Sequence, residues 1–178
     1  MSRVAIVSAG PSLAARPALP LRDYDAVIGV NYSAGIYSCS HWAATDAPVI
    51  QETAPLRRPD VLFTRRDQWD RACRCAPHVC ERYGRIVRFH EEIEFPMFIA
   101  RKWRLYTVCA AAVLAWDIGA HAVDVFGHDM AGCGDCRGDA AEDRGMRTDR
   151  RWNQERAIWA LLTDRLAQDG IPLRRLAA

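Results

Sequence analysis

Polar side chains recur directly after short apolar runs in this chain, and their types suit the handling of an anionic ligand. Val4-Ala5-Ile6-Val7 leads into Ser8-Ala9-Gly10-Pro11-Ser12-Leu13. Gly10 lets the backbone come close to a ligand. Pro11 suits a first helical position, where its missing N–H costs nothing. Ser12 adds a hydroxyl among N–H groups that have no helical partner, and such a turn favours phosphate or another anion. The plainer alternative is a tight strand-to-helix turn with a capped N-terminus. Asn31 follows Ala26–Val30, and Asp46 follows His41–Thr45. Arg65 and Arg66 follow Val61–Thr64, and His128 and Asp129 follow Val123–Phe126. Arginine suits bidentate phosphate contact. A histidine titrates near neutral pH and suits general-base work. Each of these also has a structural alternative. Asn31 and Asp129 fit turns bonded to local backbone, Asp46 fits an N-cap, Arg65 and Arg66 fit a solvated strand end, and His128 fits packing.

The elements that must position these groups alternate. Residues 3–8, 26–30, 41–45, 61–64, 85–89, 123–126 and 171–176 read as strands. Residues 11–16, 67–80, 107–118 and 149–168 read as helices. The last helix carries Trp152, Glu155, Ile158, Trp159, Leu162 and Leu166 at spacings of three or four. Gly119 is placed to cap the Ala-rich helix before it. Residues 90–103 are rich in aromatics and acids and contain Pro96, so an irregular segment or flap is expected. Trp103, Tyr106, Phe95 and Phe98 fit either core or an acceptor pocket. Residues 131–147 read as a long Gly-rich loop. Strands alternating with helices predict an α/β protein: a single Rossmann-like domain over 1–178, its mostly parallel sheet covered by helices on both faces. In such sheets ligands bind beyond the carboxyl ends of the strands, where Ser8, Ser12, Asn31, Asp46, Arg65, His128 and Asp129 collect.

The formal charge of +2 gives no electrostatic case for a nucleic-acid partner. No apolar run reaches membrane-spanning length, and the N-terminus has no signal-peptide pattern, so a cytoplasmic protein without a membrane partner is expected. The chain lacks GxGxxG, GxxxxGK[ST] and GxSxG, which argues against ordinary dinucleotide, P-loop and hydrolase chemistry. Seven cysteines are many for such a chain. Cys39 and Cys109 sit in core-like contexts. Cys73, Cys75 and Cys80 with Cys133 and Cys136 offer thiolates for a structural Zn²⁺, and His78 is a further candidate ligand. The alternative is free thiols on polar loops. An odd total argues against a disulfide scaffold.

Read in order, Ser8-Ala9-Gly10-Pro11-Ser12-Leu13, Gly29-Val30-Asn31, Thr107-x-x-x-Ala111-Ala112 and Val125-Phe126-Gly127-x-Asp129 resemble a known superfamily. It joins the bacterial CMP-sialic-acid-dependent sialyltransferases of family 42 with the MptE-like 6-hydroxymethylpterin diphosphokinases. Small phage and prophage proteins share the pattern, and this chain looks most like those. The resemblance spans Val4 to Leu176. It implies that Gly10, Pro11, Ser12 and Asn31 hold the CMP part of a nucleotide-sugar donor, with Thr107 also touching the nucleotide. The transferase pattern has an aromatic after the Gly-x-Asp strand end, where this chain has Met130-Ala131. It has a histidine before the last long helix, where this chain has Arg144-Gly145-Met146-Arg147. The diphosphokinase pattern implies ATP with Mg²⁺ on Asp46 and Asp129, and Arg65 and Arg66 on the transferring phosphoryl group. The expectation is therefore a nucleotide-dependent transferase acting on an unknown acceptor, glycosyltransferase-like with a CMP-type donor. The alternatives are a Mg-ATP diphosphokinase and a non-catalytic nucleotide-binding phage module.

Overall fold

Seven strands run side by side in one sheet, every neighbouring pair parallel, in the order β5-β4-β3-β2-β1-β6-β7. They are β1 (Ser2–Val7), β2 (Ala26–Val30), β3 (His41–Ala43), β4 (Val61–Thr64), β5 (Val87–Phe89), β6 (Ala120–Phe126) and β7 (Leu173–Leu176). The helices are α1 (Ala47–Glu52), α2 (Arg66–Cys75), α3 (Pro77–Tyr83), α4 (Thr107–Asp117) and α5 (Asp149–Gln168). The structure, a computed structural model, describes residues 2–96, 103–104, 106–130 and 149–177.

Alternation along the strands sorts side chains between the two faces. Val4, Ile6, Ile28, Val30, Ala43, Phe63, Val123 and Val125 pack under α4 and α5. Trp42 and Leu62 pack under α1, α2 and α3, while Ala5, Val7, Val27 and Phe126 meet the turns after β1 and β2. The architecture is thus the expected α/β, Rossmann-like one, a parallel sheet with helices on both faces. Residues Thr107–Ala115 of α4 are all buried. That fits a helix apolar all round, here lodged between the sheet and α5. Gly119, at φ +80°, ends it in the left-handed conformation.

The helix expected over 11–16 is only a 3₁₀ turn, Pro11–Leu13. Pro17 and Pro20 leave no room for a longer helix. The helix expected over 67–80 is two helices, because Pro77 has no N–H to continue α2 and instead opens α3. Cys73 of α2 and Cys80 of α3 form a disulfide, where metal-ligating or free thiols were expected. Ile93, Phe95 and Trp103 pack into the core beneath α4 rather than lining an open flap. Phe98 and the loop expected over 131–147 lie outside the described residues. No helix among the described residues is long and apolar enough to cross a membrane.

Asp124 stitches the β6 end of the sheet together. Its side chain is buried in mid-strand. It accepts two bonds from Arg174 of β7 (2.7 and 3.0 Å), one from Arg3 of β1 (3.1 Å) and one from Tyr24 Oη (2.9 Å). Burial pushes the Asp124 carboxyl up, but the hydrogen bonds from Arg174, Tyr24 and Arg3 outweigh it and hold the carboxyl below its ordinary range. Burial and the bond to Asp124 push the Tyr24 hydroxyl up to about 12.

Candidate functional site

The chain winds from β1 outward through β2 to β5, then returns to place β6 on the other side of β1. The connections therefore diverge at β1 and β6, and a crevice opens beyond their carboxyl ends. The two strand ends are tied there by backbone. Ser8 N donates to Phe126 O (2.8 Å), and Gly10 N donates to Gly127 O (3.0 Å). Asp129 Oδ2 accepts from Ser12 N (2.9 Å). The need for glycine at position 10 is internal: a Cβ would lie 2.2 Å from Gly127 O and 2.3 Å from Asp129 Oδ2. In the turn expected to favour an anionic ligand, the Ser12 N–H is thus already satisfied by the protein's own carboxylate.

The crevice encloses about 460 Å³, part of it open to solvent. Ser8, Gly10, Pro11, Asn31, Thr107, His128 and Asp129 line it, so seven sequence-derived candidates from four separate segments meet there. Arg151, Trp152 and Glu155 close it from the first turns of α5. Asn31 adopts φ +52°, a left-handed conformation that asparagine tolerates better than most residues. Its backbone oxygen accepts from Trp42 Nε1 (2.9 Å), which holds that conformation, and its buried side-chain Oδ1 has no hydrogen-bond partner among the described residues. Ser33 fixes the same corner. Its hydroxyl donates to Val7 O (2.6 Å) and accepts from Val30 N (2.8 Å), joining the ends of β1 and β2.

Thr107 opens α4, and its hydroxyl pairs with that of Thr45 at 2.5 Å, linking α4 to the end of β3. The N-cap residue Tyr106 makes no side-chain capping bond to α4, so the first-turn N–H groups, which have no helical acceptor, add positive potential beside the crevice. His128 Nε2 and Glu155 Oε1 lie 3.3 Å apart, with both side chains buried. The imidazole meets the Trp159 ring edge to face, centroids 4.3 Å apart.

Other candidates fall outside this group. Asp46 is exposed at the N-cap position of α1, makes no side-chain capping bond and does not line the crevice. Arg65 forms an ion pair with Asp67 at 2.7 Å, and Arg66 lies over the Phe89 ring and near Glu92. Cys73, in its disulfide, has no thiolate to give a metal. Cys75 is exposed, and Cys133 and Cys136 lie outside the described residues. Among the described residues no group of three or more His, Cys, Asp or Glu side chains could hold a metal ion.

No protein family, curated protein or solved structure matches the chain.

Glu155, Arg151 and Ser33 escaped the sequence reading as site residues. Glu155 was legible only as a member of the α5 stripe. A carboxylate inside an otherwise apolar stripe, four residues before Trp159, was the available signal that it has a buried partner.

Proposed function

We propose that the crevice binds a nucleotide and that the protein is a nucleotide-dependent transferase, glycosyltransferase-like, with a CMP-type nucleotide-sugar donor. The observation that carries this reading is the convergence of Gly10-Pro11, Asn31, Thr107 and His128 on one crevice at the point where the sheet connections diverge. Chemically the parts are complementary. The α4 N-terminus and the Arg151 guanidinium suit a phosphate. The Asn31 Oδ1, without a partner among the described residues, suits a donor from a base amine or a ribose hydroxyl. His128 suits removal of a proton from an acceptor hydroxyl as its oxygen attacks the sugar, while the nucleoside monophosphate departs with the bonding electrons. The Mg-ATP diphosphokinase reading is less well served. It needs carboxylates gathered near the phosphates. Asp46 stands outside the crevice, Asp129 engages Ser12, and Arg65 engages Asp67.

A thermal-shift panel of CMP, CDP, UDP, ATP and GTP, with and without Mg²⁺, tests this directly. Stabilisation should reach about 2.7 kcal/mol at a hundredfold excess over Kd. The expected result is a metal-independent shift with CMP or CDP that Asn31→Ala abolishes. A shift confined to ATP with Mg²⁺ would establish the diphosphokinase instead. Binding without turnover of any donor would leave a non-catalytic module. The absence of a shift with every nucleotide would end the nucleotide reading.

A further inference from the structure

We propose that Glu155 is the positioning residue that holds His128 as its Nε2–H tautomer, making His128 Nδ1 the proton acceptor of the crevice; this rests on the transferase reading above. The argument starts from hydrogen-bond capacity. The 3.3 Å contact between His128 Nε2 and Glu155 Oε1 is a hydrogen bond to a carboxylate oxygen acceptor when the ring proton is on Nε2. Nδ1 is buried and has no hydrogen-bond partner among the described residues. A proton there would be a buried donor without an acceptor, a costly state, whereas a bare lone pair is the cheaper one. A ring protonated on Nε2 with Nδ1 bare therefore satisfies the hydrogen bonds of the site best.

Packing fixes the ring as well as the proton. The His128 side chain is 3% exposed and that of Glu155 is 8% exposed, so water does not compete for the bond between them. Trp159, one helical turn beyond Glu155 on α5, stands edge to face against the imidazole and restricts its rotation. Both His128 and Glu155 line the crevice. When an acceptor hydroxyl attacks the donor, its proton passes to Nδ1 and its oxygen forms the new bond to the anomeric carbon. The carbon–oxygen bond to the phosphate breaks, and the nucleoside monophosphate leaves. The imidazolium so formed keeps its Nε2–H on Glu155, whose negative charge balances the new positive one. Glu155 touches no substrate in this scheme. It acts through the ring, as a carboxylate does in a Ser-His-Asp triad.

The test joins imidazole ¹⁵N–¹H correlation spectra with CMP release from CMP-sialic acid, water serving as acceptor. Wild-type protein at neutral pH is expected to show His128 with Nε2 protonated and Nδ1 bare. Glu155→Ala is expected to mix the tautomers and to lower kcat about 100-fold with KM unchanged. His128→Gln is expected to lower it by about 10²- to 10⁴-fold. An Nδ1–H or doubly protonated ring in the wild type overturns the proposal, whether or not either variant folds. CMP release at an unchanged kcat in both variants overturns the dyad alone and leaves the transferase reading standing. An Nε2–H ring in a protein that neither binds nor releases CMP overturns the transferase reading and the acceptor role of Nδ1 with it.

Discussion

Replacing Gly10 with alanine separates two reasons for a glycine at that position. If Gly10 serves only the approach of a ligand, Gly10→Ala leaves the free protein intact. It would even gain about 0.4–1 kcal/mol, because the backbone there sits at φ −73° and ψ 159°, which alanine adopts freely. The structure requires the opposite. The added Cβ would lie 2.2 Å from Gly127 O and 2.3 Å from Asp129 Oδ2, and both atoms belong to the segment leaving β6. Relief demands that the ends of β1 and β6 part. That breaks the Gly10 N–H bond to Gly127 O, worth about 1 kcal/mol, and the Ser12 N–H bond to the Asp129 carboxylate, worth about 1.5–3 kcal/mol. After the entropic gain of alanine is subtracted, the net loss is about 2.5 kcal/mol, or about 5–10 °C in Tm for a domain of this size. Urea unfolding without nucleotide reads it. Gly10→Ala combined with Asp129→Ala should be less than additive by about 1 kcal/mol, since the second change removes one of the two clashing groups. An unchanged or raised urea midpoint with weakened CMP binding would refute the internal account and restore the ligand one.

Asp124→Asn should cost about 2 kcal/mol, less than a fully buried pair because Arg3 and Arg174 keep part of their solvation. The carboxyl is held below its unfolded value, so its contribution is present above that value and is lost as pH falls through the lowered folded one. Acid unfolding followed by fluorescence should therefore show a flatter acid limb in the variant. Reducing the Cys73–Cys80 bridge should cost about 2 kcal/mol, as expected for so short a loop, and urea titration with and without dithiothreitol reads the difference. Ser33→Ala should cost about 1–3 kcal/mol in the same assay, because it removes the acceptor of the buried Val30 N–H and the donor to Val7 O.

How far the sequence could be read depended on whether the governing contacts were local. The strands at 26–30 and 61–64 and the helix at 149–168 coincide with β2, β4 and α5, because their apolar patterns and flanking residues carry the signal within the segment. The split of the helix expected over 67–80 is also local, at Pro77. The turn after β1 could not be read in this way. Gly10 and Ser12 answer to Gly127 and Asp129, more than a hundred residues away, and local turn chemistry offered a ligand in their place. The same separation hid the partnership of His128 with Glu155, each plausible alone and informative only together. Asp46 and Arg65 show the converse. Both stand near carboxyl ends of strands, as the topology rule requires, but β3 and β4 lie progressively farther from the crevice beside β1.

The indole that holds the Asn31 carbonyl belongs to the opposite layer of the molecule. Trp42 is packed among α1, α2 and α3, while its N–H reaches the strand end where Asn31 turns. The rear layer thus acts as an anvil for the front one. A phenylalanine at position 42 would keep most of the buried volume and lose only the N–H, releasing a peptide that the crevice relies on. Residues of the rear layer thereby share in setting the shape of the crevice, which has a structural handle on each side of the sheet.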